Sequence, residues 1–286
     1  MTSVALPSQP LAPTVWQLAR IEGMRMLRHP IVLVGLALSA AFTIVLERNN
    51  VGGGYFAVTG PGMLPLLVSL VAANLAALRS RRSDTDELYA SLPSPVRART
   101  LAQLAALAWL AAGAAVFVGV FYAAFGGIDD GFVVTLGGET AVPSVAELAQ
   151  GPLALATVAA LGIALARWIP FLPAAPVVAA GLVVFSLPAT TWNLQSGWVW
   201  FLPLVNAAET PPGSSFPCAS SGEAMAWCGE PAFLTGSAAW HIVYLAGLGV
   251  AFAAAALLRD DRRPSTVALA GAGIAVAVAA GVLQIP

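Results

Sequence analysis

The chain has 286 residues, of which 58% are hydrophobic and 9% charged, and its mean hydropathy is +0.82. That excess lies far outside the range of a soluble globular domain, so lipid is the expected main solvent. A formal net charge of -1 predicts no nucleic-acid partner, and with no lysine present all thirteen basic groups are arginines.

In chain order, residues 1–13 contain three prolines and few anchoring groups, which predicts a disordered tail. They also lack the basic and apolar regions of a cleavable signal peptide. Thr14 is a suitable N-cap for a helix over residues 14–29. On that helix Trp16, Ala19, Met26 and Leu27 gather on one side, and Glu22, Arg25 and Arg28 on the other, although Leu18 and Ile21 spoil the polar face. The pattern suits an interfacial helix with Trp16 at headgroup depth; the alternative is a plain extension of the first span.

Apolar runs then predict seven spans, at about 31–46, 61–78, 101–125, 148–166, 171–189, 236–258 and 266–283. The expected architecture is therefore an all-α polytopic membrane protein. Asn74 is the one strongly polar side chain of the second span and is expected to bond to a neighbouring helix. Gly113, Ala114, Gly247, Gly249, Gly271, Gly273 and Gly281 permit close helix contacts, chiefly within one subunit. Between spans three and four, residues 126–150 carry Asp129, Asp130, Glu139 and Glu147 with no basic residue. Residues 190–235 form the longest connection, in which Trp192, Trp198 and Trp200 suit the membrane interface and the run from Trp198 to Val205 is expected to dip into it as a short helix.

Charge sets the orientation. With seven spans and a cytoplasmic N-terminus, every arginine except Arg48 lies on the inner side, as the positive-inside rule requires, and the C-terminus is extracytoplasmic. Cys218 and Cys228 then share an outer loop, where an oxidising compartment permits a disulfide; two free thiols are the other possibility. Such a ring would stabilise the loop by roughly 2 to 3 kcal/mol in the chain-entropy picture.

The longest charged interval runs from Arg79 to Arg99, RSRRSDTDELYASLPSPVRAR, with five arginines and three acids. Ser83 can cap a short helix whose first turn holds Asp84, Asp86 and Glu87, where the helix dipole favours negative charge. Pro93 and Pro95 end it, and Leu88 and Leu92 share a face. A capped helix with an apolar ridge over residues 83–95 suggests a cytoplasmic docking element; the alternative is a solvated turn whose arginines merely hold the topology.

Catalytic chemistry is not evident. No span carries Asp, Glu or Lys in its middle, where an ion-coupled carrier would bind its ion. His241 stands beside Trp240 near the outer end of span six and is expected to be a satisfied interfacial side chain rather than a ligand. With His29 at the opposite face, bis-histidine haem ligation is excluded and no multi-histidine metal site can form. Nucleophile-elbow, zinc-protease and phosphate-loop motifs are absent, so any ATP would be bound by another chain.

The opening QLARIEGMRMLRHPIVLVGLALSA, followed after span two by TDELYASLPSPVRARTLAQLAAL, resembles the permease subunit of type 2 ABC exporters. The resemblance spans about Trp16 to Arg259 and rests on order: an elbow helix, a coupling helix between spans two and three, and a partly re-entrant segment between spans five and six. It implies a multi-pass protein of a bacterial plasma membrane, paired with a second permease copy or a relative, and a separate cytoplasmic ATPase carrying ATP and Mg. Asp84, Asp86, Glu87, Leu88, Tyr89 and Leu92 would contact that ATPase, with Trp16, Glu22 and Arg25 on the elbow helix nearby. Cys218 to Cys228 would stiffen the outer gate. The seventh span departs from the six usual in the family. The implied activity is export of a hydrophobic or amphipathic substrate by alternating access, with no catalytic residue, metal or cofactor on this chain. The competing class is a non-transporting scaffold or immunity-type protein that anchors a cytoplasmic partner.

Overall fold

A computed structural model describes residues 11–48, 58, 63–79, 96–125, 132–133, 140–191, 201–203, 206–208 and 233–285. Among them are eight helices: α1 (Leu11–Leu27), α2 (Pro30–Arg48), α3 (Met63–Ala77), α4 (Val96–Phe125), α5 (Val145–Trp168), α6 (Ala174–Thr191), α7 (Ala238–Asp260) and α8 (Pro264–Leu283). Two short strand pairs qualify the all-α expectation: β1 (Phe132–Val133) with β2 (Thr140–Ala141), antiparallel, and β3 (Asn206–Ala208) with β4 (Phe233–Thr235), parallel.

Among the described residues four helices, α4, α5, α7 and α8, are long and apolar enough to cross a membrane, and the bent pair α1–α2 makes five if it counts as one span. This architecture is consistent with a helical membrane protein. Helices α3 and α6 stand at two further expected spans but are shorter.

Helix α5 is central and packs on α3, α4 and α7. Its sequence explains the position, because small residues let neighbouring backbones approach and the donors of Asn74, Ser69 and Thr157 find carbonyls at the contact. At Gly162 a Cβ would lie 2.3 Å from the Leu70 carbonyl oxygen, so only glycine fits. Asn74 Nδ2 donates to the Gly162 carbonyl at 3.1 Å, giving the helix-to-helix bond expected of it. Ser69 Oγ donates to the Leu66 carbonyl at 2.7 Å and lies 3.4 Å from that of Leu155, while Thr157 Oγ1 donates to the Leu245 carbonyl at 2.9 Å. Helix α8 lies against α7 through a second close crossing, where a Cβ on Gly247 would meet the Gly273 carbonyl oxygen at 2.9 Å and one on Gly273 the Ala251 nitrogen at 2.7 Å. Gly271, by contrast, faces open space.

Several boundaries move, each for a local reason. Helix α1 begins at Leu11, so Thr14 lies inside it and does not cap it, and the expected tail loses its last residues to helix. Helix α5 begins at Val145, because Ser144 and Glu147 form a capping box: Ser144 Oγ accepts from the Glu147 N–H at 3.2 Å, and Glu147 Oε2 accepts from the Ser144 N–H at 2.6 Å. Glu147 is thus a buried first-turn residue and not part of an outer acidic loop. Helix α4 starts five residues earlier than expected, at Val96, which brings Arg97 and Arg99 onto its first turn.

Candidate docking site

The arginine-bearing end of the bundle holds the described charged side chains that cross between helices. Its first part is built by α1. Pro30 has no N–H and cannot continue the α1 ladder, and His29 Nδ1 accepts from the Ile31 N–H at 3.3 Å, starting α2 afresh. The two axes are bent by 51°, so α1 is not a straight extension of the first span. It packs instead on α4. Ala19 and Met26 are buried, the Trp16 and Trp109 ring centroids are 6.4 Å apart, and Gly23 fits against the Trp109 side chain, which would lie 2.5 Å from an added Cβ. Trp16 remains 59% exposed despite that contact, as a headgroup-level ring would be.

On the polar face of α1, Glu22 accepts from Arg25 Nη1 at 3.1 Å and from Arg79 Nη1 at 3.3 Å. Arg79 is the last described residue before segment 80–95. The helix expected to form the elbow is therefore tied to the point where the chain leaves α3 for the expected docking segment. These side chains keep considerable solvent contact, so each pair stabilises by about 0–1 kcal/mol.

The second part joins the ends of α4, α5, α7 and α8. Asp260, whose side chain is 6% exposed, accepts from Thr100 Oγ1 and faces Arg167 Nη1 at 3.9 Å. Arg167 Nη2 also donates to Gln103 Oε1 at 3.1 Å, and Trp168 Nε1 donates to the Ala255 carbonyl at 2.8 Å. Asp261 pairs with Arg97 at 3.1 Å and with Arg263. Asp260 ends α7 and Asp261 caps it, where the dipole disfavours them, but they stand beside the N-termini of α4 and α8, where it favours them. Sequence reading used Arg97, Arg167 and Arg263 only to orient the chain and did not join them to Asp260 and Asp261. Acids set among arginines directly after a span were the available signal.

At the opposite end several contacts between elements are made by neutral groups, beside the buried Glu147 carboxylate of the α5 capping box. Gln150 makes a reciprocal pair with Ala207: its Nε2 donates to the carbonyl and its Oε1 accepts from the N–H, both at 2.9 Å. The Tyr244 hydroxyl donates to the Phe201 carbonyl, and the Phe201 ring meets Tyr244 edge-on and fills the space left by Gly281. His241 is buried, with Nδ1 2.7 Å from Gln284 Oε1. Only one ring nitrogen is satisfied: Nε2 is buried with no hydrogen-bond partner among the described residues, and the ring lies within the protein rather than at the interface expected of it. None of these pairings was foreseen.

Among the predicted site residues, Trp16, Glu22 and Arg25 lie together on α1. Asp84, Asp86, Glu87, Leu88, Tyr89 and Leu92, together with Cys218 and Cys228, fall outside the described residues. Among the described residues no group of three or more His, Cys, Asp or Glu could hold a metal ion. No family model, curated protein or solved structure matches the chain.

Proposed function

We propose that the chain is the membrane permease subunit of an ATP-driven exporter, moving a hydrophobic or amphipathic substrate out of a bacterial cell by alternating access. One observation carries the reading: Glu22, on the bent helix α1, binds Arg79, where the chain enters the segment expected to dock on a partner. A force delivered at that segment would reach α1 and α3 together, and α3 packs directly on the central helix α5. The second network would pass it on, since Asp260 and Arg167 link α4, α5 and α7 at the same end. ATP and Mg would be held by a separate cytoplasmic ATPase subunit, and a second permease copy or a relative would complete the translocation path. Seven spans with the N-terminus inside and the C-terminus outside belong to the same proposal, as does a Cys218–Cys228 disulfide stiffening the outer loop.

The test is purification of the tagged chain from its native membrane in mild detergent. A soluble chain carrying a phosphate-binding loop should co-purify, and Glu87→Arg or Leu88→Asp should uncouple its ATP hydrolysis while leaving membrane insertion intact. A partner that binds with no dependence on nucleotide would instead indicate a scaffold.

A further inference from the structure

Helices α1 and α4 run side by side and in step. Gly23 lies against the Trp109 side chain, and a Cβ on Gly113 would meet Leu27 Cδ2 at 2.7 Å. Moving one turn along α1, from Gly23 to Leu27, thus moves one turn along α4, from Trp109 to Gly113, so the two helices are parallel and depth can be read from one to the other. On that scale Trp16 stands level with Gln103. Arg20, Arg25 and Arg28 lie about 5, 12 and 17 Å farther toward the opposite end, at roughly 1.5 Å per residue.

The level of Gln103 is a boundary of the hydrocarbon layer. Gln103 bonds to Arg167, which faces Asp260, and from that layer α7 and α8 run back with 23 and 20 residues. Their lengths are about 35 and 30 Å, and the hydrocarbon layer is about 30 Å thick, so neither helix has much length to spare beyond it. Arg25 and Arg28 therefore stand at a depth that is hydrocarbon beside α7 and α8.

Yet these arginines are not enclosed by protein. Arg20, Arg25 and Arg28 are all exposed, on the side of α1 away from buried Ala19 and Met26. Between residues 11 and 28 the chain has one acid, Glu22, and its carboxylate already serves Arg25 and Arg79. A charge exposed at hydrocarbon depth is costly, and it is relieved by snorkelling or by local thinning that brings headgroups to it. Snorkelling suits Arg20, the shallowest. Arg28, the deepest, needs the headgroups to come down.

We propose that the exposed side of α1 binds the headgroup of an anionic phospholipid, its phosphate between Arg25 and Arg28, with the bilayer thinned beside it. The two guanidinium groups are neighbours at i,i+3, and the planar fork of each matches a phosphate. Ile21, exposed one turn from Arg25, offers apolar contact to the glycerol and the first acyl carbons. A zwitterionic headgroup carries its own cation and leaves the excess arginine charge unmatched, so the site selects the anionic lipid. The assignment stands whether or not the chain works with an ATPase.

The experiment uses the full chain in phosphatidylcholine vesicles that contain a photoactivatable lipid, either a phosphatidylglycerol or a phosphatidylcholine, with the reactive group on the first acyl carbons. After illumination, mass spectrometry maps the label. At residues 20–28 phosphatidylglycerol should label at least fivefold more than phosphatidylcholine, since one arginine near an anionic surface favours binding by about that factor. At Phe42 and Val45, exposed on the far part of α2, the ratio should be about one. Neutralising both arginines, with Arg25→Gln and Arg28→Gln together, should bring the ratio at 20–28 to about one. Arg259→Gln, which removes an exposed arginine at the end of α7, should leave it unchanged. Should the double variant fail to fold, Arg28→Gln against Arg28→Lys decides, because only the neutral replacement should lower the preference. A ratio of about one in the unaltered chain, a preference that survives neutralisation, or no label at 20–28 from either lipid, as when a second copy covers α1, would overturn the proposal.

Discussion

The two ends of the helical bundle are fastened by different chemistry. At the arginine-bearing end, Glu22, Asp260 and Asp261 each meet more than one partner, over contacts that long side chains can shorten or lengthen. At the other end, the Gln150–Ala207 and Tyr244–Phe201 contacts each pair one neutral side chain with one backbone site. A charge with several partners can exchange them at little cost when helices shift. A buried neutral group that loses its partner has no substitute and bears the full desolvation penalty. One end is thus built to be adjusted, and the other to be held.

The comparison can be broken most readily at Gln150. Gln150→Ala leaves the N–H and carbonyl of Ala207 buried without partners and should cost about 2–4 kcal/mol, from two hydrogen bonds of this kind. Unfolding followed by tryptophan fluorescence in detergent should show this at any ionic strength. Next comes Asp260→Ala, which removes the acceptor of Thr100 and one neighbour of Arg167. It should cost about 1–3 kcal/mol and be nearly insensitive to salt, because the carboxylate is shielded from solvent. The smallest effect belongs to Glu22 and Arg79. A double-mutant cycle should give a coupling of about 0–1 kcal/mol that fades in molar salt. A Glu22–Arg79 coupling as large as the Gln150 effect would remove the distinction between the ends.

The membrane class and the approximate place of most helices were legible in the sequence, since runs of Ala, Leu and Val bounded by arginine, proline or glycine leave few alternatives. Asn74 was legible as a helix-to-helix donor because one amide in an apolar helix must find an acceptor. Less visible was what depends on pairing between distant segments. Gly162 makes the closest helix approach described, yet it sits in an alanine-rich run that looks like many others in this chain. The capping box at Ser144 was present as Ser-x-x-Glu, but the acidic residues upstream made Glu147 look like part of an outer loop. Gln150 and Ala207 are 57 positions apart, and no local pattern links an amide to that particular backbone. At the candidate docking site, the acids and arginines were legible one by one, and their arrangement into two networks was not.

The most direct test joins the two ends to the proposed activity in one measurement: ATP hydrolysis by the complex from native membranes, per molecule of folded permease, for Glu22→Arg and Gln150→Ala side by side. Reversing the charge at Glu22 should set like charges against Arg25 and Arg79 and break the tie to Arg79, lowering hydrolysis severalfold with little change in the amount of folded protein. Gln150→Ala should do the reverse, reducing the yield of folded protein while each surviving molecule hydrolyses ATP at close to the original rate. Equal hydrolysis in both variants, or no ATP-hydrolysing partner to measure, would contradict the account.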